Sequence, residues 1–544
     1  MLHLQVRLHG TFSGATLVLI IPRKRKVKCD ETRPCCRRCT LGNRECEGYP
    51  SQAPPENSRI ILQAKDSPWV DIPLSPISPG NTLSSYRLAK VGCHLLRGLC
   101  PRSSTITATL WGSIVSQLAH SDATIHSATA ALGAAVEYTR RRRTDGRTEL
   151  IQRYGRAVHE IQGQFLTNTY DPFCIVATCL LLAFTDLLVG QKIQALSHFQ
   201  GTVALLQRRH HLLDATATSS DTDHLSTIAS SGNEQVFFIR DNMDLAGAIL
   251  DIGTASYMLE AKPRLPKLDF SRFMNYPGTS HPTLTLELQV LLALHAGYTF
   301  AHRASRYKYL ATRYHDPMLL IDQGREIGRL TDLIDRLGNS GLHTSWNSRR
   351  RALVLRTQCN SCLLYLFTIL QPYETTYDSF TDIFISIVDD AEQIIRHPDC
   401  AQEDHDLRFS ADLGTTQSLY LTATKSRLPM LRQRAIALLK ESGNDGPFEG
   451  RQLAAVAQRA FGIEHSSSWC NNPYESSIEE SVPEHRRVHG CGPAAETFDK
   501  VGGLTVQAFF STCISVPELV AASSESESQN HKYWKTWVEE IAVP

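Results

Sequence analysis

No stretch of this 544-residue chain is apolar for long enough to cross a bilayer. The longest candidate, Phe173 to Val189, is interrupted by Thr178, Thr185 and Asp186, and reads as a buried core helix. The short signatures of catalysis are also missing. There is no G-x-S-x-G elbow, no phosphate-binding G-x-x-x-x-G-K-[ST], no H-E-x-x-H pair and no dinucleotide fingerprint, so the expectation is a protein that is not an enzyme. Net charge is nearly absent at +1, which excludes a chain that binds polyanions along its whole length. A disulfide framework is not implied either. Ten of the fifteen cysteines are scattered beyond residue 50, and Cys93, Cys174, Cys179 and Cys513 sit among apolar neighbours like small buried hydrophobes in a reducing compartment.

The charge that is present is concentrated. Between Arg23 and Glu47 nine Lys or Arg face four Asp or Glu, while the remainder of the chain is slightly acidic. Within that basic head the cysteines are spaced Cys29-x6-Cys36-x2-Cys39-x6-Cys46, directly behind Arg23-Lys24-Arg25-Lys26-Val27-Lys28. Thiolates two residues apart can share one tetrahedral metal, and the longer gaps let the chain loop away and return with further ligands. A basic segment held rigid by such a metal can be laid against phosphates and base edges.

This stretch resembles the second part of the fungal Zn2Cys6 binuclear cluster. The resemblance is carried by Lys28-Cys29-Asp30-Glu31, Arg33-Pro34, Arg38-Cys39 and Glu47-Gly48-Tyr49. It implies that Cys29, Cys36, Cys39 and Cys46 are zinc ligands. It also implies that Arg25 and Lys26 reach base edges of CGG-type triplets in double-stranded DNA, while Arg23, Lys28 and Arg38 contact phosphates. The family pattern places a further Cys-x2-Cys at positions 19 and 22, where this sequence has Leu19 and Pro22. In the family six thiolates hold two zinc ions, and the first and fourth cysteines bridge both. Cys36 is therefore one bridge here and the other is missing, and Cys35 is a spare thiol that cannot replace an N-terminal pair. The run Ala15 to Ile21 is apolar, unlike the polar lead-in usual before such clusters. That points to a start or splice differing from the native message, with true loss of the pair as the other explanation; no small-residue cleavage site supports a signal peptide.

Behind the cluster, Pro50, Pro54, Pro55, Pro68, Pro73, Pro76 and Pro79 exclude an immediate coiled coil and mark a linker. Helical periodicity follows. After Ser121, read as a helix cap, Ile125, Ala128, Leu132, Ala135 and Val136 share one face; Leu150, Tyr154, Ala157, Val158, Ile161 and Phe165 share the next. A break falls at Gly190, then come Ala195, Phe199, Val203 and Leu206. Later Leu431, Ala435, Leu438 and Leu439 align, with Gly443 as a stop. Residues 214–234 and 465–500 read as loops or insertions, and Ser523 to Gln529 as a mobile acidic stretch. Tyr154 to Ala157, Leu180 to Phe184, Ala195 to His198 and Arg432 to Lys440 are similar to the fungal-specific transcription factor domain found behind such clusters, which implies an all-α regulatory body.

Other chemistry-bearing groups have bland readings. Arg140 to Arg143 read as a helix-end charge cluster, and Cys359-x2-Cys362 beside Leu363 and Leu364 as core packing. His397, Asp399, Cys400, Glu403 and His405, like His485, His489 and Cys491, lack family-like metal spacing. The expected organisation is an atypical segment 1–22, a partial zinc cluster 23–49, a Pro/Ser-rich linker 50–88, an all-α domain 89–465, and a C-terminal loop and tail 466–544. The fold is expected to be mostly α. The function implied by the resemblance is a nuclear, zinc-dependent, sequence-specific regulator of transcription by RNA polymerase II. Its partners would be DNA, a small-molecule effector or co-regulator proteins, and in some settings a second copy of the chain, without a membrane. The alternative is a helical effector-sensing or interaction protein impaired in DNA binding.

Overall fold

A computed structural model describes residues 79–99, 110–141, 144–167, 171–191, 194–199, 201–202, 254, 286–311, 315–339, 345–398, 409–410, 413–465, 482–498, 504–522 and 532–543. All belong to one unit, which takes in the chain from Ala64 to Pro544. The described structure is mostly α, as the periodicity requires.

The first helix, α1 (Pro79–Leu99), starts ten residues before the expected start of the helical domain at residue 89. Proline at a first helical position costs nothing, since its missing N–H has no intrahelical partner there. A π-turn, Leu110–Ile114, leads into α2 (Val115–Ser121) and α3 (Ala123–Arg141). The cap between them is Asp122 and not Ser121. Ser121 closes α2, and Asp122 accepts from the Ile125 amide at 2.9 Å. On α3 the residues Ile125, Ala128, Leu132, Ala135 and Val136 are all buried, as their spacing demands. Two glycines bring α1 and α3 into backbone contact. A Cβ on Gly133 would overlap the Leu88 carbonyl oxygen, and one on Gly92 the Thr129 carbonyl.

Helix α4 (Thr144–Thr167) buries Leu150, Tyr154, Ala157, Val158 and Ile161. In α5 (Pro172–Leu188) Asp171 caps the Phe173 amide at 2.8 Å and Pro172 opens the first turn. Every residue from Cys174 to Asp186 is buried, so the long apolar run is a core helix. Among the described residues no helix is long and apolar enough to span a membrane. Gly190 (φ 80°) ends this helix as expected: its amide bonds Leu187 and the Gln191 amide bonds Asp186, which satisfies two end carbonyls.

A second group of helices comprises α6 (Leu286–Ala304), α7 (Pro317–Asn339), α8 (Trp346–Thr368) and α9 (Thr381–Ile395). Strand β1 (Phe409–Ser410) follows, then α10 (Thr416–Lys425) and α11 (Pro429–Glu441), a hairpin β2 (Asn444–Asp445) and β3 (Phe448–Glu449), and α12 (Gly450–His465). One hydrophobic core runs from Leu288 to Ala457 and is centred on α8, whose residues are buried around nearly its whole circumference. Leu431, Ala435, Leu438 and Leu439 of α11 face that core. Gly443 stands just past the end of α11, as expected, but without a left-handed backbone. The positive φ falls instead on Gly446 (54°) in the β2–β3 turn, and α11 ends at an extended Ser442.

The C-terminal region corrects the expectation of a loop and tail. Strands β4 (Val488–Phe498), β5 (Leu504–Cys513) and β6 (Trp534–Ala542) form an antiparallel sheet in the order β4-β5-β6, with a short helix α13 (Val516–Ala522) between the last two. Val506, Ala508 and Phe510 alternate onto one face of β5 and pack against Val456 and Ala460 of α12. Strand β4 hides in the sequence because Gly490, Gly492 and Pro493 depress strand propensity. The structure tolerates Pro493 at a break in register between Pro493 and Ala495.

Candidate functional site

The zinc and DNA candidates Arg23, Arg25, Lys26, Lys28, Cys29, Cys36, Arg38, Cys39 and Cys46 lie outside the described residues, as do residues 214–234, 466–481 and Ser523 to Gln529. What the structure describes is the body behind them, and its chemistry is concentrated in three buried polar clusters.

The largest joins the helices to the C-terminal sheet. Glu374 opens a 3-10 turn (Glu374–Phe380), and its fully buried carboxylate accepts from Lys308 Nζ at 3.0 Å and from Lys425 Nζ, at the end of α10, at 2.6 Å. Burial pushes the Glu374 carboxyl up, but Lys308 and Lys425 together hold it well below the usual carboxylate range, so it is ionised. Lys425 also donates to the carbonyls of Val488 (3.2 Å) and His489 (2.7 Å) on β4. Glu484 returns the link by accepting the amides of Glu374 and Thr375 at 2.8 and 2.9 Å. Arg487, fully buried, holds Asp378 with both terminal nitrogens at 2.8 and 2.6 Å. His489 lies against Tyr309 Oη (3.2 Å) and the Trp534 ring, and burial lowers its basicity. The sheet and the turn before it are thus fastened by charged groups 63 to 110 residues away in the chain.

A second cluster links α4, α5 and the helical residues 194–199. Tyr154 Oη donates to Asp186 Oδ2 at 2.9 Å and lies 2.5 Å from His198 Nε2. Burial pushes the Asp186 carboxyl well up and His198 down to about 4, so desolvation disfavours the charged form of each. In the third cluster, Arg427 and Arg432 share Glu464, as described below.

The smaller candidates resolve as structure. Cys359 and Cys362 are fully buried in the main core, where desolvation pushes the Cys359 thiol up to about 12 and raises the Cys362 thiol well above its ordinary value. His397 stacks on Trp346 at 3.5 Å, while residues 399–408 lie outside the described set. Among the described residues no group of His, Cys, Asp or Glu is arranged to hold a metal ion, His489 and Cys491 included. Arg141 ends α3, at the helix end where the cluster of arginines was placed. Sequence reasoning singled out none of Glu374, Lys308, Lys425 and Glu464. The available signal was limited to Lys425 and Glu464, which stand at the ends of largely apolar helical stretches.

Residues 23–55 match the family model described as the fungal Zn(2)-Cys(6) binuclear cluster domain. The similarity is confined to this N-terminal segment of the 544-residue chain. The match begins at Arg23 and contains Cys29, Cys35, Cys36, Cys39 and Cys46, leaving positions 19 and 22 outside it. Domains of this kind bind zinc ions. Similar curated proteins include "Transcriptional regulatory protein moc3" of Schizosaccharomyces pombe, 36% identical over 97 residues, which are 16% of this chain and 19% of the relative. The "Aspercryptin biosynthesis cluster-specific transcription regulator atnN" of Emericella nidulans is 27% identical over 214 residues, 34% of each chain. "Transcription regulator lscL" of Purpureocillium lilacinum is 51% identical over 47 residues, 9% of this chain and 11% of the relative. The chain thus covers about a third or less of the length of these relatives. No solved structure matches.

The donor set of this segment differs from that of a complete binuclear site. Four cysteines at the motif's spacing fall two short of the six thiolates that hold a bridged pair.

Proposed function

We propose that this chain is a nuclear, sequence-specific DNA-binding regulator of transcription, with the helical body as its regulatory part. The observation that carries the reading is the family match over residues 23–55, in which the cysteine spacing and the basic run Arg23 to Lys28 coincide. The similarity to three proteins named as transcription regulators supports it. Cys29, Cys36, Cys39 and Cys46 are the zinc ligands; Arg25 and Lys26 donate to guanine edges of CGG-type triplets, and Arg23, Lys28 and Arg38 neutralise phosphates.

Fluorescence anisotropy on duplexes carrying CGG triplets tests this. Affinity should fall steeply with salt, and Arg25→Ala or Lys26→Ala should each cost about 1–3 kcal/mol of discrimination at one triplet position. Equal affinity for a scrambled duplex refutes the sequence-specific reading. A second reading is favoured by Leu19 and Pro22 standing where the family's first cysteine pair falls: a regulator with weakened DNA binding that acts through its helical body. Zinc content separates the two. Two tightly held ions per chain require ligands beyond the motif cysteines, whereas none at all removes the rigid support for the basic segment.

A further inference from the structure

Arg427 stands in the turn between α10 and α11, and Arg432 one turn into α11. Both converge on a single carboxylate, Glu464 of α12, whose Oε2 accepts from Arg427 Nη1 at 3.0 Å and from Arg432 Nη1 at 2.5 Å. The other Glu464 oxygen accepts the Val488 amide at 2.7 Å. Arg427 Nη1 also donates to the Thr424 carbonyl, and Arg432 Nε to the Ala423 carbonyl. Three guanidinium nitrogens remain: Arg427 Nε and Nη2, and Arg432 Nη2, each buried and without a hydrogen-bond partner.

Two features make these orphaned donors informative. The first is geometry. Arg427 Nε and Nη2 form the side-on edge of the guanidinium, the same edge with which Arg356 grips Asp390, Arg396 grips Glu441 and Arg459 grips Glu539 in this molecule. That fork matches two oxygens of a carboxylate or phosphate in parallel. The second is charge. Two guanidiniums are balanced by one carboxylate, and the side chains of Arg427, Arg432 and Glu464 are 6%, 0% and 0% exposed. A buried surplus positive charge with unsatisfied donors is costly to leave uncompensated. Leu428 and Met430, the exposed residues just after Arg427 in the chain, are 36% and 78% exposed.

We propose that the side-on edge of Arg427, with Arg432 Nη2, is the donor set of a binding site for one oxyanion group, a carboxylate or a phosphate, carried by a small molecule. One such group supplies the missing acceptors and neutralises the surplus charge. Because Glu464 also holds the first residue of β4, a ligand bound here is one hydrogen bond from the sheet. The inference stands independently of DNA binding.

Isothermal titration of the full chain with acetate, and separately with inorganic phosphate, against chloride at matched ionic strength, tests it. Saturable binding at one site per chain is expected, with acetate identifying a carboxylate site and phosphate alone a phosphate site. Arg427→Lys keeps the charge and removes the fork, and should weaken that binding by about tenfold or more. Binding unchanged in R427K, or neither oxyanion distinguishable from chloride, overturns the proposal. Thermal melting of the wild-type chain decides the matter even if R427K does not fold. A melting temperature that rises and saturates at low millimolar oxyanion is expected, and curves that coincide with chloride overturn it.

Discussion

Replacing Glu374 by Gln removes one negative charge and almost no volume, yet it leaves Lys308 and Lys425 facing each other in the interior. Both ammonium groups are within hydrogen-bond distance of the same carboxylate, whose residue is 0% exposed, so neither has water to turn to. Breaking a buried ion pair by removing one partner costs about 3–5 kcal/mol. The loss should appear locally, because Lys425 also bonds the carbonyls of Val488 and His489. Hydrogen exchange followed by mass spectrometry on peptides from β4 and β5 is the direct assay, since a chain of this size need not unfold in one step. Amide exchange there should accelerate by about a hundredfold to a few thousandfold, following the same free energy. Adding Lys308→Met should recover part of the loss by removing one stranded cation. The wild-type pH dependence follows from the lowered Glu374 pKa. Its contribution is fully present above the unfolded-state value of about 4.3 and is lost as pH falls through the lower folded-state value. E374Q should lack that acid-side loss. Acceleration under about tenfold in β4, or an unchanged acid profile, refutes the argument that this carboxylate fastens the sheet.

Gly133→Ala should destabilise the α1–α3 crossing by about 1–3 kcal/mol or more, because the obstacle is the Leu88 backbone carbonyl and cannot rotate away; a melting temperature equal to wild type excludes the close crossing. Cys359 and Cys362 should resist iodoacetamide at neutral pH in the folded chain and react at ordinary rates in urea, since burial holds the Cys359 pKa at about 12; rapid native labelling read by mass spectrometry contradicts their place in the core. Asp171→Ala should cost about 1 kcal/mol through loss of the cap on α5, measurable as a lower urea midpoint.

The amphipathic faces of α3, α4 and α11 were legible because a period of 3.6 in Leu, Ile, Val and Ala leaves few other ways to bury them. Gly190 was legible as a stop because αL geometry favours glycine. The C-terminal sheet was not legible: β5 alternates Val506, Ala508 and Phe510, but β4 pairs with it through glycines and a proline that local propensity assigns to loops. Ser121 and Asp122 both suit a cap, and only the backbone geometry selected Asp122. The cysteine spacing was legible in the chain order, and the zinc cluster was read from the resemblance that this spacing and its flanking residues carry.

The order of side chains along the chain therefore determined what is local and periodic: the helical body, the core helix α5, and the cysteine and basic pattern of residues 23–49. Tertiary structure decided which charges meet. Glu374 lies 66 residues from Lys308, 51 from Lys425 and more than a hundred from Glu484, and Arg427 lies 37 from Glu464. No local propensity records such pairings. They follow from the packing of α10 and α12 against the sheet and of α11 on both helices, where low polarity makes each unmet charge costly enough to fix its partner.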